Sequence, residues 1–206
     1  MPTISLTDFV DFAITAGPSQ LAKVKEISAR GKYDPKFDFW KPLRAGIRGL
    51  HQDGTKLDSV LEGLKDAKKI KRYPVAVKAY KKFVGKKTIQ WFRPPSQPWI
   101  YEGLTVRVNP ELGLEIDGQK YVAKLYFKDE RPTKQRLKVV FELMRSSLRL
   151  DEGTIPAVID VASSRLIPPK PLDGDLTVLL QAQALAFLHM WKSIAGSATA
   201  AGTPMR

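Results

Sequence analysis

The sequence contains no cysteine and only two histidines, His51 and His189. The lack of cysteine excludes disulfide bonds and thiolate metal ligands, and it is typical of a reducing compartment, so we expect a cytoplasmic protein. Long apolar runs are also lacking, because polar residues interrupt even the stretch 176–194. The N-terminal segment has neither the basic start nor the apolar run of a signal peptide. We therefore expect neither a membrane span nor a signal peptide.

Motifs for nucleotide cofactors and for common hydrolases are missing. The chain has no GxGxxG and no GxxxxGK[ST] pattern, so no cofactor is expected. Neither histidine lies in a GxSxG-like context or at metal-ligand spacing from acids, which predicts no triad and no metal site. His51 ends a predicted helix, where a positively charged imidazole would suit the helix dipole. His189 stands between Leu188 and Met190, which indicates a packed or interface residue.

Acidic residues are scarce relative to basic ones. The chain has 21 Asp and Glu against 34 Lys and Arg, giving a formal net charge of +13. Such an excess attracts polyanions, which are nucleic acids, acidic proteins or anionic membrane surfaces. The hydrophobic fraction of 43% is sufficient for a packed core, and the charged fraction of 27% is ordinary for a globular protein.

Two extended runs flank Asp117-Gly118, which is the clearest structural signal in the chain. Asp-Gly between alternating apolar residues favours a type I′ turn, which needs positive φ at both central positions. This turn would place Ile116 opposite Gln119 and give a ribbon with one apolar and one charged, wet face. We expect the helices that follow to cover the apolar face. The apolar face comprises Leu112, Leu114, Ile116, Tyr121, Ala123, Leu125 and Phe127; the charged face comprises Glu111, Glu115, Lys120, Lys124 and Lys128.

Apolar residues at helical spacing predict five helices before residue 90. Ser5 with Asp8 resembles a capping box for the first helix. Asp38 is expected to cap the third helix, and a short fourth helix covers 57–64. Pro74 is expected to open the fifth helix, because proline is tolerated in a first turn.

The C-terminal half shows two further helices and a buried strand. Thr133 precedes a helix that extends to about residue 150, and the run 157–161 is apolar and β-branched, as in a buried strand. A short return strand follows at 165–167. The last helix is expected to begin at an Asp175 cap and to end near Ile194.

The pattern of elements predicts an α+β fold, in which a helical N-terminal half precedes a small, antiparallel-led mixed sheet covered by two helices. We expect a basic helical domain at 1–90 and a joint rich in proline and aromatic residues at 91–103. An α+β domain is expected at 104–195, and a disordered tail at 196–206.

Basic residues are concentrated between residues 64 and 87, where Asp66 is the only acid. This pattern is typical of a solvated helix face, and equally of a surface that contacts the phosphate backbone of nucleic acid. In the joint that follows, Trp91, Trp99 and Tyr101 are candidates for stacking on bases, or for anchoring the joint to a core. The candidate nucleic-acid-binding residues are Lys68, Lys69, Lys71, Arg72, Lys78, Lys81, Lys82, Lys86, Lys87 and Arg93.

The C-terminal order of strand, strand, helix, strand and helix resembles the core of the PD-(D/E)XK nucleases over residues 104–194. That resemblance implies a metal held by an acid on one strand and by an acid-x-lysine motif on the next. Here the first acid would be Glu115 or Asp117 and the lysine Lys124, with Asp160 as a further ligand. The sequence departs from the motif, because Val122 stands where the acid before Lys124 is required.

Three functions therefore remain open. The leading hypothesis is a non-enzymatic protein that binds DNA or RNA through its basic surface. The second is an adaptor or assembly subunit that pairs with an acidic protein, or with its own copies through the apolar last helix. The third is a degenerate or active nuclease.

Overall fold

The computed structural model describes residues 1–30, 38–170 and 176–200, and these residues adopt the predicted α+β class. The helices are α1 (Leu6–Ala13), α2 (Pro18–Ala29), α3 (Lys41–Gln52), α4 (Ala67–Val84), α5 (Lys134–Ser147) and α6 (Thr177–Ala200), with a 3-10 helix at Leu57–Leu61. The strands are β1 (Thr3–Ser5), β2 (Ile89–Phe92), β3 (Gln97–Tyr101), β4 (Leu104–Val108), β5 (Leu112–Ile116), β6 (Gln119–Tyr126), β7 (Ile155–Asp160) and β8 (Arg165–Ile167).

The strands form two sheets. The larger has the order β2-β5-β6-β7-β8, in which β6 and β7 run parallel and the other neighbours run antiparallel. Helix α5 provides the crossover between the parallel strands, as a parallel connection requires. The smaller sheet has the order β1-β4-β3, with β1 parallel to β4. We did not predict this second sheet.

The predicted hairpin is confirmed with its register. Strands β5 and β6 pair so that Ile116 lies opposite Gln119 and Leu112 lies opposite Ala123. Asp117 and Gly118 have φ of 50° and 87°, the positive values that a type I′ turn demands. Asp117 Oδ1 also accepts a hydrogen bond from the backbone N–H of Thr88 at 3.0 Å, which ties the turn to the start of β2.

Both faces of the larger sheet are covered, which corrects two expectations. The apolar face of the hairpin packs against α3 and α4, which precede it, through residues such as Leu43 and Tyr73. The opposite face, which we expected to be wet, is partly buried, because α1, α5 and α6 contribute to a second core there, whereas Lys120 and Lys128 remain exposed. On that face Val122 is 0% exposed and Glu111 is 6% exposed.

The two cores do not follow the expected domain boundary at residue 90. One core joins α1, α2, α5 and α6 to both sheets, and the other joins α3 and α4 to the larger sheet. Each core therefore contains side chains from both sides of residue 90. The expected joint is also more regular than a linker, because β2 and β3 are strands of different sheets connected by residues 93–96.

Helix α4 begins earlier than expected. Asp66 is its N-cap and accepts hydrogen bonds from the backbone N–H groups of Lys68 and Lys69 at 2.8 and 3.0 Å. Pro74 was expected to open the helix but lies inside it. A proline at this position removes one helical hydrogen bond, and its exposed ring lies on the solvent side of α4.

The predicted start of α3 is also wrong. Asp38 does not cap the helix, because the cap residue is Trp40 and it makes no side-chain capping bond. Asp38 instead forms an ion pair with Arg44, one turn into the helix. The expected fourth helix at 57–64 is a 3-10 helix of five residues, Leu57–Leu61.

Other predicted boundaries agree with the structure. Ser5 accepts a hydrogen bond from the backbone N–H of Asp8 at 3.1 Å, and Thr133 accepts one from that of Arg136 at 3.2 Å. Helix α6 continues to Ala200, into the expected tail, whereas Asp175 and residues 201–206 lie outside the described residues. Within the described ranges, no helix has both the length and the hydropathy needed to cross a membrane.

Gly113 is required where β2 pairs with β5. A Cβ atom at this position would lie 2.4 Å from the carbonyl oxygen of Phe92 and 2.7 Å from its ring. We expect Gly113→Ala to lower the free energy of unfolding by about 2 kcal/mol, because β2 must move away to relieve the clash. Denaturant unfolding measures this change.

Gly49→Ala is the matched control. A Cβ at Gly49 would make ordinary contacts of 3.5 Å with Thr55, and alanine favours the helical backbone. We expect this variant to be at least as stable as the original. Equal unfolding midpoints for the Gly113 and Gly49 variants would contradict the close packing of Phe92 on β5.

Candidate nucleic-acid interface

Helix α4 presents a row of lysines to solvent. Its buried residues, including Tyr73, Tyr80 and Phe83, lie on one side and pack into the core shared with the larger sheet. Because an α-helix has 3.6 residues per turn, side chains spaced by three, seven and four residues lie on one face. The exposed residues with this spacing, on the side opposite the buried face, are Lys68, Lys71, Lys78 and Lys82, called here the lysine stripe.

Carboxylates neutralise the basic side chains on either side of the lysine stripe, but they do not neutralise the stripe itself. On one flank Arg72 pairs with Asp129 at 2.5 Å, and on the other Lys81 pairs with Asp58. Among residues 1–30, 38–170 and 176–194, no carboxylate forms an ion pair with a lysine of the stripe. The structure therefore leaves a positive row about 21 Å long, from the 1.5 Å rise per residue, with the exposed Pro74 and Val75 between Lys71 and Lys78.

The remaining predicted lysines lie close to the ends of α4. The Lys69 ammonium is 6.0 Å from the centre of the Phe39 ring. Beyond the C-cap Gly85, the Lys87 ammonium donates to the carbonyl oxygen of Phe83 and lies 4.8 Å from the centre of its ring. Lys86 is exposed and extends the positive surface past the helix end.

The three aromatic residues proposed for stacking occupy different environments. Trp99 is 8% exposed and packs against Phe9 and Tyr101, with ring centres 5.6 and 5.9 Å away. A base could reach the Trp99 ring only if that packing opened. Tyr101 and Trp91 are half-buried. Trp91 thus retains the combination of partial exposure and a nearby arginine, Arg93, that single-strand binding uses.

Trp91 and Arg93 line a cavity of about 400 Å³ that we did not predict. Its other residues are Arg48 and Gln52 from α3, Pro94, Pro110 and Glu111, so it combines elements far apart in the sequence. None of the lysines of α4 lines it. The spacing of Arg44 and Arg48, four residues apart on one helix, was the available sequence signal for a basic surface on α3.

Lys124 forms a part-buried ion pair with Glu111. The Lys124 ammonium lies 2.5 Å from Glu111 Oε1, and Arg44 Nε approaches the same oxygen at 3.9 Å. Glu111 Oε2 accepts a hydrogen bond from the backbone N–H of Leu125 at 2.9 Å. Both carboxylate oxygens are therefore engaged, and the pair fixes the start of β5 against β6.

The acids proposed for a nuclease site are not brought together. Glu115 lies opposite Lys120 in the hairpin, and Asp117 lies in its turn. Asp160 is buried and accepts a hydrogen bond from the Ser163 hydroxyl at 2.5 Å. In the part of the chain that the structure describes, no group of three acids or histidines could hold a metal ion.

His51 has a different role from the one that its helix position predicted. Its Nε2 atom is 2.7 Å from the hydroxyl of the buried Tyr80. Burial lowers the pKa of His51 to about 4 and raises the pKa of Tyr80, so at pH 7 both groups are neutral. The expected positive imidazole at the helix end is therefore wrong, and the neutral His51 ring instead shares a hydrogen bond with the Tyr80 hydroxyl. His189 is exposed rather than packed.

The His51 contact predicts a pH dependence of stability. The imidazole titrates near pH 6.5 in the unfolded chain and near 4 in the folded protein, so the folded state binds fewer protons between these values. The free energy of unfolding should therefore fall as pH is lowered from 7 to 4. Allowing for partial exposure of the ring, we expect this group to contribute about 1–2 kcal/mol of that fall.

Unfolding at several pH values compares the original protein with His51→Gln and with the control His189→Gln. We expect the His51 variant to lose this part of the pH dependence, because glutamine can bond Tyr80 without titrating. The His189 variant should keep it. Identical pH profiles for all three proteins would contradict the assignment.

The chain matches no protein-family model, and comparison with curated proteins found no significant match. The charge, exposure and spacing of its own residues are therefore the basis for inferring what it binds.

Proposed function

We propose that the protein is a non-enzymatic nucleic-acid-binding protein that contacts phosphates through the lysine stripe of α4. The observation that carries this proposal is that the stripe is exposed and lacks ion pairs with the described carboxylates, while Arg72 and Lys81 beside it are paired. Holding four positive charges close together on one helix face costs free energy, which a polyanion would offset.

The geometry of the stripe suits a phosphate backbone. Each strand of duplex DNA carries one phosphate per about 3.4 Å of the helix axis, so a row about 21 Å long can meet several phosphates of one strand. Lysine ammonium groups act as flexible point charges and do not read the donor and acceptor pattern of a base. Binding through this surface should therefore depend little on base sequence.

The net charge of +13 supports the same proposal at longer range. A strongly basic protein attracts nucleic acid before any contact forms and raises the association rate. Lys86, Lys87 and Arg93 extend the basic surface beyond α4 towards the end of β2. We propose that the contact surface consists of the lysine stripe and this extension.

Reversing the charge of the stripe tests the proposal. We expect the triple variant Lys71→Glu, Lys78→Glu and Lys82→Glu to bind DNA and RNA at least about tenfold more weakly, because three phosphate contacts become repulsive. Fluorescence anisotropy with labelled single-stranded and duplex DNA and RNA measures the affinity. These residues are exposed, so the fold should be retained, and circular dichroism checks this.

The matched control reverses three exposed lysines elsewhere, Lys25, Lys170 and Lys192. Both triple variants lower the formal net charge from +13 to +7, since each substitution removes two charges. The control should bind within about threefold of the original protein, because only long-range attraction changes. Equal weakening in both variants would show that net charge, and not the stripe, determines binding.

An adaptor role is the second candidate, and the surface of α6 favours it. Val178, Leu179 and Leu185 are 68%, 44% and 49% exposed. Trp191 on the same helix is half-buried against Phe187, with ring centres 5.8 Å apart. Exposed apolar side chains on one helix are typical of a surface that packs against another protein.

Sedimentation velocity tests this candidate through self-association. If α6 is an interface between copies, the protein should show dimers that dissociate on dilution over about a hundredfold range. The double variant Val178→Lys and Leu185→Lys should remain a monomer throughout. A monomer at every concentration in the original protein would remove support for assembly through α6 and leave an acidic protein as the remaining partner.

A further inference from the structure

The segment 93–96 lies between two cavities that share Arg93 and Pro94. One has a volume of about 400 Å³ and is lined by Arg48, Gln52 and Trp91. The other has a volume of about 420 Å³ and is lined by Arg149. Volumes of this size fall in the range of small-molecule sites. The cavity lined by Arg48 and Trp91 is called here the arginine cavity.

The arginines at these cavities differ from most others in the structure. Within residues 1–30, 38–170 and 176–194, Arg48, Arg93 and Arg149 form no ion pair. By contrast, Arg44 and Arg136 are each paired with a carboxylate. A guanidinium offers five donors in a planar arrangement that fits phosphate oxygens. Two such groups, Arg48 and Arg93, therefore line one cavity, and no carboxylate among the described residues forms an ion pair with either.

A second, independent observation concerns Trp91. Its Nε1 atom is buried and has no hydrogen-bond partner among the described residues. Leaving a buried donor unpaired costs about 1–3 kcal/mol, so such groups call for a specific explanation. Because Trp91 lines the arginine cavity, a shift of its indole ring that exposes Nε1 would let a ligand with an acceptor atom supply the missing partner.

Among the described residues, Glu111 is the one acid that lines the arginine cavity, and it does not repel an anion there because its charge is already paired. It is 6% exposed, and its oxygens are engaged by Lys124 and by the backbone N–H of Leu125. The remaining polar group is the Gln52 amide, which can both donate and accept. The cavity thus combines two cationic planar donors, one indole N–H and one amide.

We propose that the arginine cavity binds one phosphate-bearing nucleotide, with Arg48 and Arg93 on the phosphate and Trp91 Nε1–H on an acceptor of the sugar or base. A free nucleotide and a nucleotide within a strand share this chemistry, and the inference for a strand rests on the proposed nucleic-acid binding. The site would then hold one unit of a single strand while the lysine stripe contacts other phosphates. Duplex ends and paired bases cannot present a whole nucleotide in this way.

Isothermal titration calorimetry with thymidine 5′-monophosphate, and with thymidine as the phosphate-free probe, tests the site. We expect the monophosphate to bind and thymidine to bind at least about tenfold more weakly, because charge-assisted contacts carry the affinity. The double variant Arg48→Gln and Arg93→Gln should bind the monophosphate at least about tenfold more weakly. The variant Trp91→Phe keeps an aromatic ring but removes the N–H donor, so it should bind the monophosphate at least about threefold more weakly.

The control is Arg165→Gln, because Arg165 is exposed on β8 and lines neither cavity. This variant should bind the monophosphate as the original protein does. The charge-reversed stripe variant should also bind it within about twofold, because none of those lysines lines the arginine cavity. No heat of binding at about 5 mM monophosphate, or equal affinity in the double arginine variant, would overturn the proposal.

A labelled dT12 strand separates this proposal from the proposed function. Suppose that the stripe variant binds the strand more weakly, while the double arginine variant binds both probes as the original protein does. The cavity is then not a nucleotide site, and the proposed nucleic-acid binding stands. If the double variant abolishes monophosphate binding and no strand binds, the cavity is a site for a free nucleotide and the proposed function fails. If the cavity holds one nucleotide of a strand, we expect the double arginine variant to bind both the monophosphate and the dT12 strand more weakly.

Discussion

The antiparallel pairing of β5 with β6 is the interaction on which the rest of the structure depends. These strands are central in the larger sheet, between β2 and β7, and a separate hydrophobic core covers each of their faces. The Asp117-Gly118 turn sets their register, and a slip of one residue would exchange the two faces. Because α4 packs on one face through Tyr73 and Tyr80, the same register turns its lysines towards solvent.

The part-buried ion pair of Glu111 and Lys124 joins β5 to β6 electrostatically in the same register. Burying two charges has a desolvation cost, which is offset when both are hydrogen-bonded and close together. Here one carboxylate contacts Lys124, the backbone of Leu125 and, more distantly, Arg44 of α3. The pair therefore connects the hairpin to the helix that carries Arg48. It also neutralises the acid that borders the arginine cavity.

Local signals in the sequence were sufficient for the hairpin and for several helix starts. The Asp117-Gly118 turn and the Ser5 and Thr133 caps depend on residues within a few positions, so their chemistry is visible in the chain. Local reasoning failed at Pro74, where packing of the buried face extends α4 back to the Asp66 cap. Intrinsic preference is weaker than such tertiary contacts.

The features that could not be predicted from the sequence depend on contacts between residues far apart in the chain. Strand β1 has three residues and pairs with β4 about a hundred positions later, so no local pattern indicates the smaller sheet. The basic run predicted a positive surface, but which lysines are paired depends on Asp58 and Asp129 from other elements. The arginine cavity likewise needs α3 and β2 side by side, which composition and spacing alone do not specify.

The salt dependence of nucleic-acid binding by the unmodified protein tests the central claim most directly. If the lysine stripe makes three to four phosphate contacts, the affinity for duplex DNA should fall about 40- to 150-fold between about 50 and 200 mM monovalent salt, with little change between base sequences. Fluorescence anisotropy at several salt concentrations gives this slope. No binding at the lowest salt, or an affinity that does not change with salt, would contradict the account.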